Sequence, residues 1–150
     1  MRHHLFTLFI LCTLCAFSQQ STQQMKQQTG QQTSRFYDAS GRYDGYSRNN
    51  GNTTYFYGPS GKSEGRSVTS GNTTRYYDAS GKFTGRSTTN GDTTRFYNAN
   101  GTNAGRCVQN GSTTNYYDAN GKFSGRAQNN GSGTTRFYNS NGTSAGRRAK

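Results

Sequence analysis

The sequence predicts an all-β fold. Tandem 20-residue β-hairpin repeats would form an antiparallel meander or curled sheet, with a β-solenoid as the alternative. Three observations carry this expectation. Glycine returns every ten residues from Gly41 to Gly131, and one extra residue near Ser132-Gly133 moves the last to Gly142. Such punctuation marks a repeat array. Between the glycines lie short runs such as Thr73-Thr74-Arg75-Tyr76-Tyr77, and Thr and Tyr suit a pleated surface. Glycine and β-branched residues are too frequent for helix.

The elements follow in chain order. Residues 1–18 read as a secretory signal peptide. A charged start, Met1-Arg2-His3-His4, precedes an apolar run from Leu5 to Phe17 and the small residues of Ala16-Phe17-Ser18. The run is short for a transmembrane span, and an uncleaved anchor is the alternative. Cys12 and Cys15 each follow a leucine, not the small residue a lipid-anchor site prefers. Residues 19–32 read as a flexible linker, with eight glutamines in four pairs and no apolar period. Residues 33–150 hold six repeat units, opening near Thr33, Thr53, Thr73, Thr93, Thr113 and Thr134.

Each unit reads as strand, turn, strand, turn. Asp78-Ala79-Ser80-Gly81 is a turn, because Asp accepts bonds from nearby backbone N–H groups and Gly takes positive φ. Asn90-Gly91 is a hairpin signal, expected as a type I′ turn with positive φ at two residues. Adjacent aromatics such as Phe96-Tyr97 point to opposite strand faces. The second glycine of each unit (Gly45, Gly65, Gly85, Gly105, Gly125, Gly146) sits mid-strand, where a neighbouring ring could lie across it. A longer period is superposed. Units one, three and five carry an aromatic two residues after the turn glycine (Tyr43, Phe83, Phe123), where the others carry Ser63, Asn103 and Ser144. Bulky and slim hairpins are therefore expected to pack alternately, in blocks of forty residues.

Composition narrows the chemistry. Only 27% of residues are hydrophobic, and after residue 18 the sole branched aliphatics are Val68 and Val108. Rings are then the only side chains able to bury much area. Signal cleavage would remove Arg2, leaving a net charge of +11, and would remove both histidines. The commonest general base would be gone, and no Cys or His spacing suits a metal. Asp38, Asp78 and Asp118 recur at equivalent turns, so a turn-forming role outweighs calcium binding. No catalytic residue, metal or cofactor is expected. Cys107 would be the one remaining cysteine, hence without an internal disulfide, and it stands where other units carry Ser67, Ser87 or Ala127. It reads as one small residue replacing another.

Tyr77-Asp78-Ala79-Ser80-Gly81-Lys82-Phe83, followed by Asn90-Gly91-Asp92-Thr93-Thr94-Arg95-Phe96, resembles the YD repeat of RHS proteins. So does Tyr37-Asp38-Ala39-Ser40-Gly41-Arg42-Tyr43. The likeness covers residues 33–150 and implies β-hairpin strips, secretion or surface display, and binding or encapsulation without catalysis. The hydrophobe after Gly-Arg, usually Leu in that family, is aromatic or polar here, and six units look too few for that family's large shell. A weaker likeness, to aromatic-glycine cell-wall-binding repeats, lacks the tryptophans of their ligand cages.

The expected function is a secreted, non-catalytic protein, periplasmic or at the cell surface, that binds anionic envelope or extracellular polymers. Arg75, Tyr77, Arg86, Arg95, Tyr97, Arg106, Arg126, Arg136 and Tyr138 are the expected contacts, because distributed cations attract anionic polymers and guanidinium planes stack on rings. No specific nucleic-acid partner is expected, nor a transmembrane segment after cleavage; self-association is possible. The alternative is a structural subunit of an extracellular fibre or matrix, with Tyr37, Tyr57, Tyr77, Tyr97, Tyr117 and Tyr138 aligned as a ladder.

Overall fold

The computed structural model describes residues 32–150. The signal-peptide reading of residues 1–18 lies outside that range, as does the linker reading except at Gln32, which already opens the first strand. Twelve strands follow in order: β1 (Gln32–Tyr37), β2 (Tyr43–Asn50), β3 (Thr53–Tyr57), β4 (Ser63–Ser70), β5 (Thr73–Asp78), β6 (Phe83–Asn90), β7 (Thr93–Asn98), β8 (Asn103–Asn110), β9 (Thr113–Tyr117), β10 (Phe123–Asn129), β11 (Thr134–Asn139) and β12 (Ser144–Ala149). Each pairs antiparallel with its sequence neighbours, and β12 pairs with β1 to close a barrel.

The antiparallel meander is therefore present, and the open or curled sheet is corrected to a closed barrel. The solenoid alternative is also corrected: equivalent strands of successive units are separated by an intervening strand, so the six tyrosines do not stack as a ladder. Register explains the closure. Arg66 faces Tyr55 on one side and Tyr77 on the other, so the row advances 22 residues where the repeat advances 20. The same two-residue slide occurs at Arg86, between Arg75 and Tyr97, and at Arg106, between Arg95 and Tyr117. At the seam Arg147 faces Arg136 and Tyr37, and Tyr37 lies two residues beyond Arg35, the counterpart of Arg136. Six slides of two residues give a shear equal to the strand number. That ratio sets a strand tilt of about 36° and, at normal strand spacing, a barrel radius of roughly 11 Å.

Both ends of the hairpin are set by local chemistry. Gly41 N–H donates to the Asp38 carbonyl at 3.0 Å, and Asp38 N–H donates to the Arg42 carbonyl at 2.9 Å. Asp38 Oδ1 accepts from Ser40 N–H, the Ser40 hydroxyl and Arg42 N–H at 3.0, 2.6 and 2.9 Å. The opposite turns correct the type I′ expectation. Asn50 pairs with Thr53, leaving Gly51-Asn52 as the loop. Gly51 has φ of 58°, and no non-glycine described residue has positive φ. Glycine first, with one positive φ, is the type II′ pattern.

Adjacent rings do divide between the faces. Phe36, Phe96, Tyr116 and Phe137 are buried inside, while Tyr37, Tyr97, Tyr117 and Tyr138 point outward. Each inner ring lies level with a mid-strand glycine, as Phe96 with Gly105 and Phe137 with Gly146. On its other side is a short side chain, as Ser87 beside Phe96 and Ala127 beside Phe137. Thr54, Thr74, Thr94, Thr114 and Thr135 complete the inner face. Among the described residues the ring-over-glycine core is thus built without Leu, Ile or Val. Beside each of these glycines the register shifts by one residue, a bulge that bends the strand and increases twist.

Two inner positions depart from the pattern. Arg148 occupies the place held by Ser47, Ser67, Ser87, Cys107 and Ala127 elsewhere, and its Nη2 donates to Thr135 Oγ1 at 3.1 Å. Burial holds its pKa below the ordinary arginine value. Cys107 is disulfide-bonded, whereas the sequence reading leaves it unpaired.

Candidate polymer-binding surface

The outer face is organised by the same register slide. In five of the six junctions between neighbouring hairpins an arginine lies over the tyrosine of the next hairpin. The distances from Cζ to ring centroid are 4.8 Å for Arg66 and Tyr77, 5.3 Å for Arg86 and Tyr97, 4.7 Å for Arg106 and Tyr117, 5.1 Å for Arg126 and Tyr138, and 4.5 Å for Arg147 and Tyr37. At the remaining junction Tyr46 stacks on Tyr57, with centroids 4.7 Å apart. The last of the five contacts spans the seam, and at the sixth junction Arg48 lies over Tyr46, so a belt of stacked arginine and tyrosine follows the circumference. Each exposed contact of this kind is worth about 0.5–1 kcal/mol.

All nine expected binding residues lie on this outer face, in two roles. Arg86, Arg106 and Arg126 cover Tyr97, Tyr117 and Tyr138, and Tyr77 lies under Arg66. Arg75, Arg95 and Arg136 are exposed and occupy the next place along the row, directly opposite Arg86, Arg106 and Arg147. Like charges directly opposite on a sheet repel. The expected set omitted Arg66, Arg147, Tyr37 and Tyr117, which complete the belt; their identical places in the repeat were the available signal.

The alternation of bulky and slim hairpins is expressed on the outside, within each hairpin. Tyr37 and Tyr43, Tyr77 and Phe83, and Tyr117 and Phe123 meet edge to face, with centroids 6.1, 5.9 and 6.0 Å apart. In the slim unit Asn103 faces Tyr97 instead. A cleft of about 240 Å³ opens there, lined by Arg95, Tyr97, Asn103, Gly105, Arg106 and Asp118.

The acidic groups divide by surroundings. The Ser40 hydroxyl, then backbone N–H groups, hold the Asp38 carboxyl below its ordinary value despite some burial, and Ser80 leads the same effect at Asp78. Asp44 and Glu64 are raised, chiefly by burial and then by a neighbouring carboxylate. Among the described residues no three His, Cys, Asp or Glu side chains gather as a metal site.

Together these features define a class: a closed antiparallel meander barrel, with rings and small side chains facing inward and a belt of arginine and tyrosine outside. No protein-family model matches the chain, and no similar curated protein was found.

Proposed function

We propose that this is a secreted, non-catalytic barrel that binds anionic envelope or extracellular polymers through its outer arginines and tyrosines. The observation that carries the reading is the circumferential belt, in which stacked arginines lie beside exposed arginines left over for a ligand. A net charge of +12 for the whole chain adds long-range attraction for a polyanion. Stacking on tyrosine fixes one set of guanidiniums in place, which lowers the ordering cost of binding. The charged outer face and strands of five to eight residues suit water. A lipid-facing barrel needs strands of about 9–11 residues and an apolar outer band.

The fibre reading has less support, because closure leaves no unpaired strand edge to recruit another copy. Replacing Arg75, Arg95 and Arg136 together with alanine is expected to weaken binding to a long acidic polysaccharide. It should also lower the slope of log affinity against log salt, by up to about three units if each makes one contact. Unchanged affinity and slope in a salt titration would remove the proposal.

A further inference from the structure

We infer that the cleft at Arg95, Arg106 and Asp118 is a discrete subsite for one uronate unit of an acidic polysaccharide, and that it recurs once more at Arg136, Arg147 and Asp38. The inference rests on the polymer-binding reading above and deepens it, naming the ligand chemistry and the number of sites.

Four features select that ligand. Arg95 and Arg106 are direct cross-strand partners, and a carboxylate between two guanidiniums would relieve their repulsion through charge-assisted hydrogen bonds. Asp118 shares the cleft, so the site is not simply cationic. A carboxylate accepts hydrogen bonds from sugar hydroxyls and repels a phosphodiester, which favours a ligand bearing one acid group and several hydroxyls over nucleic acid. Tyr97 adds a flat ring wall. The volume, about 240 Å³, is below the ~300–1,000 Å³ of pockets that hold drug-sized molecules, which favours a small unit such as a single sugar ring.

The repeat pattern fixes the number. Where the residue opposite the outer tyrosine is aromatic, as Phe83 is opposite Tyr77, a ring occupies the space that Asn103 leaves. The slim hairpins carry Ser63, Asn103 and Ser144, so three positions have room. The unit with Ser144 supplies Arg136 and Arg147 as partners, and the register at the seam puts Tyr37 and then Asp38 in the places of Tyr117 and Asp118. The unit with Ser63 has Tyr55 opposite Arg66, hence a single arginine. Two complete subsites remain.

The test is calorimetric titration of the intact protein with trigalacturonate, a trimer of a uronic acid. Two sites per chain are expected. Asn103→Phe and Ser144→Phe copy the aromatic of the bulky hairpins on an exposed position. Each is expected to leave one site, and the double variant to weaken trimer binding at least tenfold, with melting temperatures confirming that the barrel persists. Asp118→Asn, which copies the Asn98 and Asn139 of other units, is expected to reduce the preference for trigalacturonate over a short polyphosphate. An unchanged site number in the double variant, or equal affinity for the polyphosphate and trigalacturonate in the parent protein, overturns the inference. Salt-dependent binding of a long acidic polysaccharide with no saturable trimer site would also overturn it while leaving the polymer-binding reading intact. Failure to bind any long polyanion at low salt would defeat both.

Discussion

Gly105 shows how a single methyl group can control hairpin pairing. Its φ is +122°, and a Cβ there would run into the carbonyl oxygen of Tyr117 on the next hairpin. The glycine therefore permits a backbone approach as well as a left-handed dihedral. Gly101, with φ of +84° and nothing near its missing Cβ, needs only the dihedral. Gly101→Ala is expected to cost about 1 kcal/mol, and Gly105→Ala roughly 2–3 kcal/mol, because backbone must also shift. Urea unfolding of both variants checks this; equal losses would show that the close approach is not limiting. The residue scale also explains why Arg75 and Arg86 differ in role despite their shared charge. Both are exposed, but register places Arg86 over Tyr97, whereas Arg75 stands opposite Arg86.

The element that turns a flat hairpin into a barrel segment is the bulge before each mid-strand glycine. Asp44 is the extra residue in the first hairpin: Phe36 pairs with Gly45 and Tyr37 with Tyr43. Burial first, and the charge of Asp38 second, raise the Asp44 pKa above its ordinary 3.8. A carboxyl with a raised folded-state pKa opposes folding when ionised, and that opposition disappears as pH falls through the raised value. Asp44→Asn is therefore expected to raise the melting temperature at neutral pH. The gain should vanish once pH drops below 3.8, where the carboxyl is protonated folded and unfolded alike. Melting curves between about pH 3 and pH 7 check the sign; a gain that persists in acid would assign the effect to packing. The bulge is not legible in the sequence, although Gly45 stands out within a strand. Sequence shows which residue tolerates positive φ, but the partner strand determines which neighbour becomes extra.

For the whole molecule, closure is the property with the largest consequence. The seam has three residue pairs, from Arg35 with Ala149 to Tyr37 with Arg147, and the 4.5 Å contact of Arg147 with Tyr37 covers it. A closed barrel has no edges, whereas an exposed edge is a template for pairing with another chain. The intact protein is expected to sediment as a monomer. A chain ending at Gly142, without β12, would expose β1 and β11 and is expected to self-associate as concentration rises. Sedimentation velocity of both would decide it. Filaments from the intact chain would restore the fibre reading, and a monomeric truncated chain would show that the seam does not suppress assembly.

The sequence by itself determined the repeat, the strand-and-turn alternation, the division of Phe96 and Tyr97 between two faces, and the ring-over-glycine core. These depend on dihedral preference, side-chain alternation and spacing, all local. It also singled out arginines beside rings and glycines, and the structure places these on the outer face. Tertiary structure decided the rest: type II′ turns in place of I′, a barrel in place of a curled sheet or solenoid, and the pairing of Arg66 with Tyr77 across hairpins. The reason is the two-residue slide between units. Each slide is a small non-local choice of hydrogen-bond partners, and its consequence emerges only from six of them in succession, when Arg147 arrives opposite Tyr37.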